Sequence, residues 1–287
     1  MYSKMVHIPV LTSELIQYLK PKPNQNFIDA TVGLGGHAKI VLSKTAPAGK
    51  VLGIDWDPAS LSELRRTSPT PRLITYLGNF KNLKEIVQQT GFSDISGIYF
   101  DLGLGSWQIE DESYGLSFQK DALLDMRIVK TGLLAQEIIN KWSEKELCQI
   151  FRDYGQVRRP HQIAEKIIRE RQRQPILSTL QLVKATGVKN PGVLAKIFQA
   201  LRIVVNRESE NLKEALPEAL EILKKGGRLV VISYHSGEDR IVKNFFKEKQ
   251  KEGILKIVTK KPVVPSEQEV RENPRARSAK LRAALKI

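Results

Sequence analysis

Three aspartates stand at the ends of three apolar runs, and their placement is the first sign of chemistry. Asp29 ends Phe27-Ile-Asp29, Asp55 ends Lys50-Val-Leu-Gly-Ile-Asp55, and Asp101 ends Ile95-Ser-Gly-Ile-Tyr-Phe-Asp101. Runs this short and apolar read as buried strands. In an open parallel sheet the ligand crevice lies outside the carboxyl ends of the strands, so three acids there are expected to converge on one site. Between the first two comes Ala30-Thr-Val-Gly-Leu-Gly-Gly-His37, in which Gly33, Gly35 and Gly36 turn the chain into a helix opening at His37. Glycine permits positive φ and close backbone approach, which suits a nucleotide-type ligand. Gly33, Gly35 and Ala38 also satisfy G-x-G-x-x-A. Asp55 follows at about the 20-residue spacing at which a carboxylate accepts hydrogen bonds from both hydroxyls of a ribose. On this pattern a nicotinamide dehydrogenase and an S-adenosylmethionine (AdoMet) methyltransferase stand level.

Other side chains carry paired readings. The backbone N–H of His37 can meet a ligand carboxylate at its helix start, or His37 can simply cap that helix. Phe80, just past a third strand at Arg72–Leu77, can lie against an adenine face or belong to the core. Asp57 reads as the N-cap of the next helix. Asp101 continues as Asp-Leu-Gly-Leu-Gly-Ser-Trp-Gln108. Amino-directed methyltransferases keep an Asp/Asn-Pro-Pro-aromatic motif at this place in the topology, although the prolines are absent here. An exocyclic amine is a poor nucleophile because its lone pair is delocalised. A hydrogen-bond acceptor such as Asp101 would localise that pair and stabilise the charge developing on nitrogen, which makes Asp101 the catalytic candidate. Alignment for in-line displacement needs no metal. Gln108 can bind either the cofactor or the base. His235 is placed equally for substrate contact or for helix-start architecture, and Asp125 with Arg127 for an internal ion pair or an RNA contact.

The elements that would position these residues alternate strand and helix up to Asp101. From Gln108 to Asn211 no strand is expected, but helices are, at Leu133–Asn140, Glu144–Tyr154, His161–Gln172, Thr179–Thr186 and Leu194–Asn206. The alternation resumes with a helix at Leu212–Lys224 and a strand ending at Ser233. The expected architecture is therefore α/β, a Rossmann-like sheet domain of residues 1–107 with 212–287, interrupted by an all-helical substrate-recognition insertion at 108–211. The apolar side of Phe198-Gln-Ala-Leu-Arg-Ile203 is assigned to the core.

Charge points to the partner. The 287 residues carry a formal net charge of +15, with a pI near 9.8, a field that attracts polyanions by steering and counterion release. Arg158, Arg159, Lys166, Arg169, Arg171 and Arg173 concentrate in the insertion, and Arg271, Arg275, Arg277, Lys280, Arg282 and Lys286 in the tail. Each run is either a solvated face or one of two positive surfaces flanking the crevice. Cys148 is the single cysteine, which excludes an intrachain disulfide or a thiolate zinc cluster and is assigned to packing. With no signal-type leader and no apolar run long enough to span a bilayer, a soluble cytoplasmic protein is expected.

Taken together these motifs resemble, almost end to end, the bacterial 16S ribosomal RNA (cytosine(1402)-N(4))-methyltransferase family (RsmH or MraW). The resemblance is carried by His7-Ile-Pro-Val-Leu, Asp29-Ala-Thr-Val-Gly-Leu-Gly-Gly-His37, Gly53-Ile-Asp-Trp-Asp-Pro58 and Gly78-Asn-Phe80. It continues through Phe100-Asp-Leu-Gly103, Leu124-Asp-Met-Arg127, Phe198-Gln-Ala-Leu-Arg-Ile203 and Gly226-Gly-Arg-Leu-Val-Val-Ile-Ser233, and ends in Asn273-Pro-Arg-Ala-Arg-Ser-Ala-Lys-Leu-Arg282. It implies a class I AdoMet-dependent methyltransferase acting on a cytidine amine in the decoding region of small-subunit RNA, as a monomer or a homodimer. By the family's motifs Gly35, Gly36 and His37 hold the methionine end, Asp55 the ribose, Phe80 and Asp101 lie near the adenine, and Gln108 closes the site. The chain departs from the family's usual spelling at Gly105, Trp107, Leu116, Gly237 and Val193–Ile197, mainly on the acceptor side.

Overall fold

The structure, a computed structural model, describes residues 9–287. His7, which opens one of the motifs above, lies outside them. The chain divides into two compact units, one taking the chain up to Gly103 together with Ser209–Ile287, the other Leu104–Glu208. The sequence pattern puts these boundaries at 107/108 and 211/212.

The first unit runs α1 (Thr12–Leu19), β1 (Asn26–Asp29), α2 (Gly36–Lys44), β2 (Val51–Asp55), α3 (Pro58–Thr67), β3 (Leu73–Leu77), α4 (Leu83–Thr90) and β4 (Ile95–Asp101). Asp57 caps α3 by accepting from the Ala59 N–H, and Pro58 follows at the first helical position, where its missing N–H costs nothing. The second unit carries α5 (Ser106–Glu110), α6 (Ala135–Lys141), α7 (Glu144–Asp153), α8 (Pro160–Arg171), α9 (Thr179–Thr186) and α10 (Pro191–Asn206). The chain then returns through α11 (Glu208–Ile222), β5 (Arg228–Ser233), α12 (Ser236–Lys251), β6 (Leu255–Ile257), α13 (Glu267–Glu272) and β7 (Lys280–Lys286).

The seven strands form one sheet in the order β3-β2-β1-β4-β5-β7-β6. β3 through β5 pair in parallel, whereas β7 is antiparallel to both of its neighbours. This is the Rossmann-like sheet that the resemblance implies, and its order reverses between β1 and β4, where such a sheet opens a ligand crevice. The buried strands read as near-continuous apolar runs because helices cover both faces. On one face Ile28, Leu52, Ile54, Ile98 and Phe100 pack with apolar residues of α4, α11 and α12. On the other, Phe27, Val51, Tyr99 and Val230 pack with α1, α2 and α3.

The last strand corrects the expectation of a basic tail. Lys280-Leu-Arg-Ala-Ala-Leu-Lys286 enters the sheet between β5 and β6 with Leu281, Ala283 and Ala284 buried. Arg282 makes a two-pronged ion pair with Asp239, Nε–Oδ1 at 2.6 Å and Nη2–Oδ2 at 3.1 Å. Lys286 Nζ donates to the carbonyls of Leu220, Glu221 and Leu223 at 2.7, 3.1 and 2.6 Å, neutralising the negative end of α11. Both cations hold the sheet domain together and are not part of a free positive surface.

In the helical unit Leu147, Cys148 and Phe151 of α7, Ile163 and Ile167 of α8, and Ile197, Phe198 and Leu201 of α10 are buried. Cys148 is packing, as its position in the apolar face of α7 indicated. Among the described residues of this unit no strand forms, only an isolated bridge between Leu123 and Ser178. Asn206 at the end of α10 pins the 126–128 loop, its Nδ2 donating to the Met126 carbonyl at 2.8 Å and its Oδ1 accepting from the Ile128 N–H at 3.0 Å. Asp125 and Arg127 form the internal ion pair, Nε–Oδ1 at 2.7 Å and Nη2–Oδ2 at 3.1 Å. Among the described residues no helix is long and apolar enough to cross a membrane.

Candidate active site

Strand register fixes the depth of the three acids. Asp29 lies opposite Gly53 on β2 and Tyr99 on β4, two residues short of Asp55 and Asp101. At about 3.3 Å per residue it sits about 6.6 Å deeper in the sheet. Two acids therefore stand at the rim and the third beneath them, which refines the expectation that all three converge on the ligand. Only 2% of Asp29 is exposed, and burial pushes its carboxyl up to about 8, helped by the charges of Asp101 and Asp55 and opposed by the hydrogen bond from the Thr31 N–H. It is an uncharged floor near neutral pH.

The glycine turn binds the rim acid beside it. Gly33 and Gly35 take φ values of +49° and +78°, and the Gly33 N–H donates to Asp55 Oδ2 at 2.8 Å. The other oxygen, Oδ1, accepts from the Asp57 N–H at 2.9 Å. Burial pushes Asp55 up to about 6, offset by these two hydrogen bonds. Each carboxylate oxygen keeps a further lone pair for a hydroxyl donor. A Cβ at Gly35 would lie 2.5 Å from Leu64 Cδ1, so that position takes glycine for packing as well as for its positive φ, and one at Gly36 would press on the Pro9 ring at 3.2 Å. No side chain caps the α2 N-terminus, which leaves that positive end to a ligand anion.

His37 uses its side chain elsewhere. The Val10 carbonyl can only accept, so Nε2 carries the proton of their 2.9 Å hydrogen bond, and Nδ1 faces Asp101 Oδ2 at 3.6 Å. The backbone N–H of Asp101 donates to Thr31 Oγ1 at 2.7 Å. Asp101 Oδ1 is buried and has no hydrogen-bond partner among the described residues. Phe80, half-buried past the end of β3, packs edge-on against Phe100 at 5.6 Å, so part of its ring belongs to the core.

Several candidate residues have other work. Gln108 belongs to the helical unit, where its Oε1 accepts from the Gly105 N–H at 2.9 Å and closes the first turn of α5. A Cβ at Gly105 would lie 2.9 Å from Trp107 Nε1, so those two departures from the family's spelling compensate each other. His235 is a correction to the RNA-binding set. It caps α12, accepting on Nδ1 from the Glu238 N–H at 3.3 Å, while Glu238 Oε2 accepts from the His235 N–H at 3.3 Å. A Cβ at Gly237 would meet that imidazole at 2.9 Å, which accounts for the third departure. Arg171 is a second correction, because its Nη1 donates to the Ile139 and Trp142 carbonyls at 2.7 and 2.6 Å and closes the end of α6. Arg169 and Arg173 pair with Glu165 and Glu170. Arg158, Arg159, Arg275 and Arg277 remain exposed.

The profile of the MraW methylase family matches residues 4–287. The chain belongs to that family. It is 42% identical to the ribosomal RNA small subunit methyltransferase H of Thermomicrobium roseum, covering 98% of this chain and 94% of that one. The proteins of the same name from Carboxydothermus hydrogenoformans and Heliobacterium modesticaldum are 40% and 42% identical, each over 98% of both chains. As a member of a methylase family the chain uses AdoMet, which removes the dehydrogenase reading of the glycine turn. The residues present fit that cofactor. The uncapped α2 N-terminus suits its carboxylate, Asp55 its ribose hydroxyls, and the unpartnered Asp101 Oδ1 the cationic side of the ligand.

Sequence reasoning missed Thr31, which fixes the Asp101 backbone, and Tyr234, whose hydroxyl faces the Asp101 carboxylate. Tyr234 directly follows a buried strand that neighbours β4, the same signal that singled out the acids. Trp56, half-buried next to Asp55, also carried that signal.

Proposed function

We propose that this chain transfers a methyl group from AdoMet to N4 of a cytidine in the decoding region of 16S ribosomal RNA. The observation that carries the substrate class is the match, over 98% of the chain, to proteins named ribosomal RNA small subunit methyltransferase H. The family resemblance of the motifs supports the N4 position, and the buried, unpartnered Asp101 Oδ1 supports an amine acceptor.

Bound at the crevice, AdoMet supplies an electrophilic methyl group on a sulfonium. Asp55 accepts the ribose hydroxyls and the α2 N-terminus takes the carboxylate. Asp101, whose carboxylate also borders the cofactor, accepts an N–H of the target amine and stabilises the positive charge that develops on nitrogen. Its fixed position, set through the backbone by Thr31, contributes alignment at no cost during the reaction. The helical insertion with its exposed arginines grips phosphates while the base is turned out of its stack, a mode that favours loops and single strands.

The test is methyl transfer from labelled AdoMet to small ribosomal subunits lacking the modification, with nuclease digestion and mass spectrometry locating the product. N4-methylcytidine at the decoding site is expected. Transfer to another base or atom would overturn the substrate assignment. Cofactor binding without transfer would favour a non-catalytic RNA-binding role in ribosome assembly.

A further inference from the structure

Tyr234 directly follows β5, the neighbour of β4 in the sheet. Asp101 pairs with Ile232 across that boundary, so Tyr234 stands two residues beyond the partner of Asp101, on the same sheet face as Ile232. Its ring lies against Gly103, where a Cβ would sit 2.6 Å from Tyr234 Cε2. The glycine of Phe100-Asp-Leu-Gly103 is therefore what lets the tyrosine lie under the turn that follows the acid. Three carboxylates act on the hydroxyl, Asp101 most strongly and Glu238 and Glu269 less. Two of these are already engaged. Glu238 accepts from the Tyr234 and His235 N–H groups at 2.8 and 3.3 Å, and Glu269 accepts from the Leu11 N–H at 2.7 Å. Asp101 alone of the three has a buried oxygen without a partner. Burial, reinforced by the Asp101 charge, raises the phenol well above its usual range, so it stays a proton donor throughout the working pH range.

We propose that Tyr234 is a positioning residue, its hydroxyl holding the Asp101 carboxylate while Thr31 fixes the Asp101 backbone, so that Asp101 meets the cofactor in a fixed orientation. The inference rests on the reading of Asp101 as part of the AdoMet site. It concerns neither cap nor core, since Tyr234→Phe keeps the ring against Gly103 and removes only the hydroxyl.

The experiment is a double-mutant cycle on the full chain, reading AdoMet affinity by calorimetry and the melting transition without ligand. Tyr234→Phe is expected to weaken AdoMet about tenfold, the scale of one lost charge-assisted hydrogen bond, with the unliganded melting transition kept. Asp101→Asn is expected to weaken it as well, and the double variant to bind no worse than Asp101→Asn alone, because the hydroxyl acts only through the carboxylate. Wild-type affinity in Tyr234→Phe, or a full tenfold loss on top of Asp101→Asn, would overturn the positioning role while leaving the site reading intact. Wild-type affinity in Asp101→Asn would sink the site reading and the inference together.

Discussion

Asp29 and Asp55 are both aspartates at strand ends, yet register and burial give them opposite tasks. Asp55 keeps lone pairs directed to the rim and serves as acceptor for a diol. Replacing it with alanine removes two charge-assisted acceptors at about 1.5 kcal/mol or more each, and AdoMet affinity is expected to fall at least about a hundredfold. Unchanged affinity by calorimetry would refute the ribose assignment. Asp29 instead titrates at about 8 in the folded protein, against 3.8 for an ordinary aspartate. A carboxyl raised on folding contributes stability that is complete below about pH 4 and is lost as the pH rises towards 8. Asp29→Asn cannot ionise and escapes that loss. Urea unfolding of the unliganded protein should therefore show the variant gaining on the wild type steadily from pH 5 to pH 8, and parallel curves over that range would exclude a protonated floor.

At the scale of elements, the parts legible from sequence are those with a period or a terminus. Strands β1 to β5 were legible because each is a continuous apolar run, and the rim acids because each follows such a run. The three-residue β6 and the charged alternation of β7 carry too weak a pattern, so the chain end read as a tail. Contacts between side chains and distant carbonyls have no sequence period at all. Arg171 looked like one more cation in a basic run, but the end of α6 accepts its guanidinium. Arg171→Glu should consequently lower the melting temperature by several degrees, since it leaves two carbonyls without their donor and sets an acid against a helix C-terminus. A variant that melts like the wild type would return Arg171 to the surface. The same scale governs the glycine turn. At φ +78°, with Leu64 Cδ1 2.5 Å from the position of a Cβ, Gly35→Ala should cost about 1–3 kcal/mol. It should weaken AdoMet too, because the turn or the buried Leu64 must shift to relieve the contact; full affinity would show that the turn tolerates a side chain.

For the whole molecule, a net charge of +15 guarantees attraction to RNA but does not say which cations touch it. The structure narrows the choice by removing those already spent. Arg282, Lys286 and Arg171 hold backbone or buried partners, and Arg169 and Arg173 each face a glutamate one helical turn away. Arg158 and Arg159, which lead into the first turn of α8, are exposed and form no ion pair among those of the described residues. Reversing both to glutamate should weaken binding to unpaired RNA and flatten the dependence of log affinity on log salt by about 1.4, since each phosphate contact on a single strand contributes about 0.7 to the slope. Reversing Arg169 and Arg173 instead should change the slope less, because each already has a carboxylate partner. Calorimetric AdoMet affinity serves as the control in both variants and should not move. Equal slopes for the first pair and the wild type would assign Arg158 and Arg159 to a solvated face, and the polyanion grip would then fall to Arg275 and Arg277 beside the last strand.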